Sequence, residues 1–169
     1  DAEYGDTNNM RIATTYFGTN VATYKRGRIK SVEYPDGLLD TYDYEYGYCH
    51  ATNSSPEDCW FEPDPNGDAW RETVTHGTIS YPAGVANRTT RDIRVLDRFS
   101  QEAISETYVY AGGTNYQRIA WKVQAFSDFS EPIHEYLSDG TQEEWTWDPC
   151  GCGKASWKDQ SGIERVYGY

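Results

Sequence analysis

One pattern constrains this chain more than any other: a glycine, four residues, an aromatic, any residue, and a second aromatic. Three segments carry it: Asp36-Gly37 leading to Tyr42 and Tyr44, Asp139-Gly140 to Trp145 and Trp147, and Ser161-Gly162 to Tyr167 and Tyr169. A fourth keeps the aromatic pair, Tyr108 and Tyr110, with Ala103 in the glycine slot. Residues two apart on a strand share one face. Asp-Gly supplies the positive φ that tight hairpin turns need. Each unit therefore reads as a β-hairpin with two aromatics on one face, and a chain of such units as an all-β, antiparallel stack of hairpins with little or no helix.

Alternation supports this. Tyr42, Tyr44, Tyr46 and Tyr48 fall on one side of a strand, with Asp43 and Glu45 on the other. Ile119, Trp121, Val123 and Ala125 alternate with Arg118, Lys122 and Gln124, and Ile93 with Val95 and Ile79 with Tyr81 are shorter candidates. Only Ser100 to Glu106 hints at a helix, too briefly to weigh. Leu, Ile, Val and Phe are scarce and the net charge is −12, a composition that by itself points towards disorder. Fifteen Tyr and six Trp reverse that expectation and point to an aromatic core.

At 169 residues one domain is expected. Residues 25–48, 102–128 and 131–169 form the hairpins. Residues 49–72, rich in acids, Pro and Gly, read as a surface loop closed by a Cys49–Cys59 disulfide. Cys150 and Cys152 either bond to each other under strain or stay reduced. The two Asn-x-Ser/Thr sequons, at Asn53 and Asn87, and the even cysteine count fit an extracellular address. The first residue, Asp1, and the single Met, Met10, suggest a processed or excised polypeptide.

The signature with its lead Gly27-Arg-Ile-Lys-Ser-Val-Glu-Tyr-Pro-Asp-Gly37 resembles the YD repeat of the RHS family, found in secreted bacterial and teneurin-like surface proteins. That resemblance covers 25–48 and 131–169 well, 102–128 partly, and 1–24 and 49–101 weakly. It implies stacked antiparallel ribbons, which in full-length members form a shell around a toxin. A chain of this length is too short to close such a shell. The family's self-cleavage segment has a superficial counterpart in Asp148-Pro149-Cys150-Gly151, without the rest of that segment.

Chemistry is sparse. His50, His76 and His134 lie in separate segments, with no nucleophile elbow and no zinc-protease motif. Acid pairs such as Glu143-Glu144 are expected by chance in a chain with 27 carboxylates. Cysteine spacing does not fit structural zinc. Asp64, Asn66 and Asp68 open like a calcium loop, yet residue 75, where the bidentate Glu belongs, is Thr, so a plain turn is favoured. Trp60, Trp70 and Trp157 are candidates for stacking on sugars, with packing as the plainer reading. No catalytic residue and no cofactor is expected. Net acidity disfavours nucleic-acid binding, and no apolar run is long enough to span a membrane.

Partners are then the question. The final motif stops at its second aromatic, Tyr169, with no polar cap, and residues 1–24 are rich in Thr and β-branched side chains, the composition of a strand that could be lent. Strand addition between copies would join them head to tail. Three expectations follow: a non-enzymatic extracellular structural protein that assembles end to end into a fibre or appendage, a fragment of a larger RHS-type shell or surface protein, or a carbohydrate-binding or adhesive β-module.

Overall fold

The computed structural model describes residues 11–51, 59–78, 89–113, 115–150 and 153–167. Its elements, in order, are β1 (Ala13–Tyr16), one turn of 3-10 helix (Thr23–Lys25), β2 (Ile29–Glu33), β3 (Leu38–His50), β4 (Trp60–Pro63) and β5 (Ala69–Thr78). They continue with β6 (Thr90–Leu96), β7 (Glu102–Gly112), β8 (Asn115–Phe126), β9 (Pro132–Leu137), β10 (Gln142–Trp147), β11 (Lys154–Lys158) and β12 (Glu164–Val166). All twelve strands join one antiparallel sheet whose order follows the chain, β4 alone standing off the path against β3. The all-β expectation is met. Residues 100–106 enter β7 and form no helix.

One turn recurs at five hairpin ends. In residues 34–38, 97–101, 127–131, 137–141 and 159–163 the first residue donates its N–H to the carbonyl of the fifth, and the fourth donates to the first, all at 2.8–3.0 Å. The fourth residue has φ between +63° and +85°: Gly37, Ser100, Ser130, Gly140 and Gly162. This is a type I turn closed by a left-handed residue, whose twist suits an antiparallel pair. Asp36, Asp97, Ser127, Asp139 and Asp159 brace the turns by accepting backbone N–H groups.

That geometry corrects the fourth repeat. The left-handed position is Ser100, and Ala103 lies inside β7, fully buried. Five and seven residues beyond Ser100 stand Ser105 and Thr107, so Tyr108 and Tyr110 are not the counterparts of Tyr42 and Tyr44. Ile119 departs from its alternation as well. It is bulged out between Arg118, opposite Tyr108, and Ala120, opposite Thr107, and is 56% exposed.

The fully buried centre is mostly aliphatic, contrary to the aromatic core expected. Val95, Ile104 and Val123 sit in register on β6, β7 and β8, with Ala103 beside them. Cys49, Ala51, Cys59 and Phe61 pack against this cluster. Aromatic rings, being large, are mostly half-buried on the sheet faces. Among the described residues Tyr44 is the buried exception, edge-on to Phe17 and stacked on Trp70 at 5.7 Å, with the Arg28 guanidinium 3.9 Å from the Trp70 ring centre.

No Cys49–Cys59 disulfide closes residues 49–72, and their described parts, 49–51 and 59–72, are not one surface loop. They supply the end of β3, β4 and the start of β5. Alternate carbonyls of a strand point to the same edge. Leu38 accepts from Tyr34 on the β2 side, and Tyr46 accepts from Asp64 after β4, so β4 extends the β2 edge of β3 while β5 lies on the opposite edge. Residues 64–68 thus carry the chain from one edge of β3 to the other. Gly47 faces Pro63 on one side and Ala69 on the other.

Candidate functional site

The sheet does not close on itself, so its first and last strands leave outer edges that no described strand covers. On β1, Val32 pairs towards β3 and therefore leaves Thr14, its opposite number, with its N–H turned outward. On β12, Tyr167 donates to Ala155 within the sheet at 2.9 Å, so Glu164 and Val166 turn their N–H groups outward. Both edges expose apolar side chains: Tyr16 at 59% on one, Val166 at 77% on the other. Unpaired, partly apolar edges are templates for another strand.

Among the other expected site residues, Gly37, Gly140 and Gly162 close the turns described above, and Trp145 lies opposite Trp157. Trp147 donates its indole N–H to the Pro132 carbonyl at 2.8 Å. Tyr169, Cys152 and both sequon asparagines, Asn53 and Asn87, lie outside the described residues, as does the pairing of Ile79 with Tyr81.

The Cys49–Cys59 disulfide is not formed, and Cys49 is a free thiol. Register gives the reason. Cys49 lies opposite Phe61, and extending that pairing sets Cys59 opposite Ala51, diagonal to Cys49. Diagonal neighbours stand about 7–8 Å apart, beyond the Cα separation of a disulfide. Burial, helped by the Asp97 carboxylate, pushes the Cys49 thiol up to about 12. Cys150 is disulfide-bonded.

Asp64 closes its own turn, accepting from the Asn66 backbone at 2.8 Å and side chain at 3.2 Å. Among the described residues no group of three or more His, Cys, Asp or Glu gathers as a metal site. Of the tryptophans, Trp70 is engaged by Tyr44 and Arg28, and Trp157 lies under Arg165 with its N–H on Glu143 at 3.1 Å. Trp60 is 53% exposed and stacks on His50, ring centres 4.5 Å apart.

Two cross-strand networks escaped the sequence reading. His76 on β5 holds Asp40 of β3 on Nδ1 at 2.7 Å and Asp92 of β6 on Nε2 at 3.0 Å. Tyr34 donates to Asp40 and Thr107 to Asp92. Burial disfavours the charged ring, but the two carboxylates outweigh it and raise His76 above its ordinary value. With both nitrogens so bonded, the ring clips three strands together. The second network alternates sign across five strands, Glu72, Arg94, Glu102, Lys122 and Glu135, with contacts of 2.7–3.9 Å. Both depend on register across distant segments, which spacing along the chain does not reveal.

No family model matches the chain, and no curated protein is significantly similar to it.

Proposed function

We propose that this protein is a non-enzymatic structural module, a YD-repeat-like β-ribbon, that extends end to end by strand addition at its outer edges. The observation that carries the reading is the pair of outward-facing edges, β1 and β12, at opposite ends of a sheet laid down in chain order. A further strand can add at either edge without rearranging the ladder, and a head-to-tail contact need not close. An extracellular address rests on the two sequons and the even number of cysteines. With net charge −12, copies repel, so association should strengthen as added salt screens that repulsion.

A second reading, a piece of a larger RHS-type shell or surface protein, is favoured by the five identical turns, since flanking hairpins of a longer chain would complete the same edges. Light scattering and negative-stain electron microscopy of the full chain over a concentration series separate the two. Thr14→Pro and Val166→Pro remove only outward N–H groups and leave the native ladders intact. Filaments abolished by either substitution support end-to-end addition. Monomers at every concentration sink it and leave the larger-protein reading.

A further inference from the structure

Two of the five repeated turns break the sequence rule that the others keep. Where the others place Asp or Ser before Gly, these read Phe99-Ser100 and Phe129-Ser130, with serine at φ +63° and +66°. A left-handed serine is strained where glycine would not be, and such strain concentrates at functional sites. Both phenylalanines are exposed, Phe99 at 48% and Phe129 at 81%. The β6–β7 and β8–β9 turns stand at the same end of the sheet, and Gln101 ties them together by donating its side-chain amide to the Ser130 carbonyl at 2.6 Å. Beside them opens a cleft of about 270 Å³ lined by Phe99, Arg98, Asp97, Asp128, Ser127 and Asp68, among others.

We propose that these twin turns form a carbohydrate-binding site for a neutral or amino pyranose. The Phe99 ring carries the Arg98 guanidinium over one face at 4.7 Å and offers the other to the C–H face of a pyranose, while that guanidinium and the Asp68 and Asp128 carboxylates offer donors and acceptors for its hydroxyl groups. The cleft carries three carboxylates against one guanidinium, which turns away acidic sugars. Its volume lies just below the usual range for small-ligand pockets and suits one or two sugar rings. Neither Trp60 nor any residue of β1 or β12 lines the cleft.

The test uses the full chain on an array of neutral, amino and acidic oligosaccharides, with calorimetric titration of any sugar retained. Binding to neutral or amino pyranoses is expected to weaken at least tenfold in Phe99→Ala, whose ring lines the cleft, less in Phe129→Ala, whose ring does not, and to persist in Trp60→Ala. Thermal melting of Phe129→Ala should match the parent, since the ring is mostly in solvent. No sugar retained, a preference for acidic sugars, or affinity that survives Phe99→Ala overturns the proposal. Loss of self-association in the double variant, without sugar binding by the parent, makes the tips a contact between copies and overturns it too.

Discussion

Gly67 lies directly on the backbone of Gly47. A β-carbon on Gly67 would meet the Gly47 carbonyl oxygen at 2.0 Å, and one on Gly47 would meet the Glu62 carbonyl oxygen at 2.1 Å. These contacts are with backbone, which cannot swing aside as a side-chain tip can. Gly47→Ala and Gly67→Ala should each destabilise the fold by at least about 2 kcal/mol, as overpacked sites do. Urea denaturation checks this, with Gly18→Ala, where nothing lies within 4 Å, as the comparison.

The serine turns should behave in the opposite sense. Ser100→Gly and Ser130→Gly relieve a left-handed β-carbon and should stabilise by about 1 kcal/mol each. For a domain of this size that is a rise of about 2–4 °C in Tm. Gly140→Ala, at φ +85°, should lower Tm by a similar amount. Differential scanning calorimetry of the three variants reads all of these, and unchanged melting in the serine variants would remove strain from the account of those turns.

His76 gives the fold a pH dependence of defined sign. Its value is raised in the folded protein, so folding takes up a proton. The stabilisation is complete below the unfolded value of about 6.5 and is lost as pH rises through the higher folded value. Tm should therefore fall between neutral and mildly alkaline pH. His76→Gln, which cannot take the charge, should flatten that slope, and high salt should shrink it because the ring is partly exposed.

Cys49 should be almost unreactive while the protein is folded. A thiol pushed up to about 12 is ionised to only about one part in ten thousand at pH 8. Alkylation followed by peptide mapping should label Cys49 slowly in buffer and rapidly in denaturant. Fast native labelling would show that the β3–β4 end opens readily.

Much of the fold was legible because its signals are local. Asp-Gly marks a turn by its own chemistry, and the alternation of Tyr42 to Tyr48 marks β3 by its period. Ser100 and Ser130 were missed because serine carries no signal for positive φ; the identity of the turn appears only in its hydrogen bonds. The bulge at Ile119 and the route of residues 64–68 depend on partners elsewhere in the sheet. So does the His76 clip, whose carboxylates come from strands 36 residues before and 16 after it. Composition marked residues 1–24 as an edge strand, and the motif that stops at Tyr169 marked the other edge, whereas nothing in the local sequence singles out Phe99 or Phe129.

The path of residues 64–68 also bears on how the sheet would yield under load. A ribbon laid down in chain order unzips from an outer strand one ladder at a time, each ladder breaking at low force because its hydrogen bonds fail in succession. β3 interrupts that sequence: it is gripped on both edges, and the segment linking its two flanking partners runs across it at Gly47. Tension entering from β1 would free β2 and then meet a strand that cannot leave before β4 or β5 lets go, so the crossing acts as a mechanical stop that divides the sheet into a peelable edge and a held body.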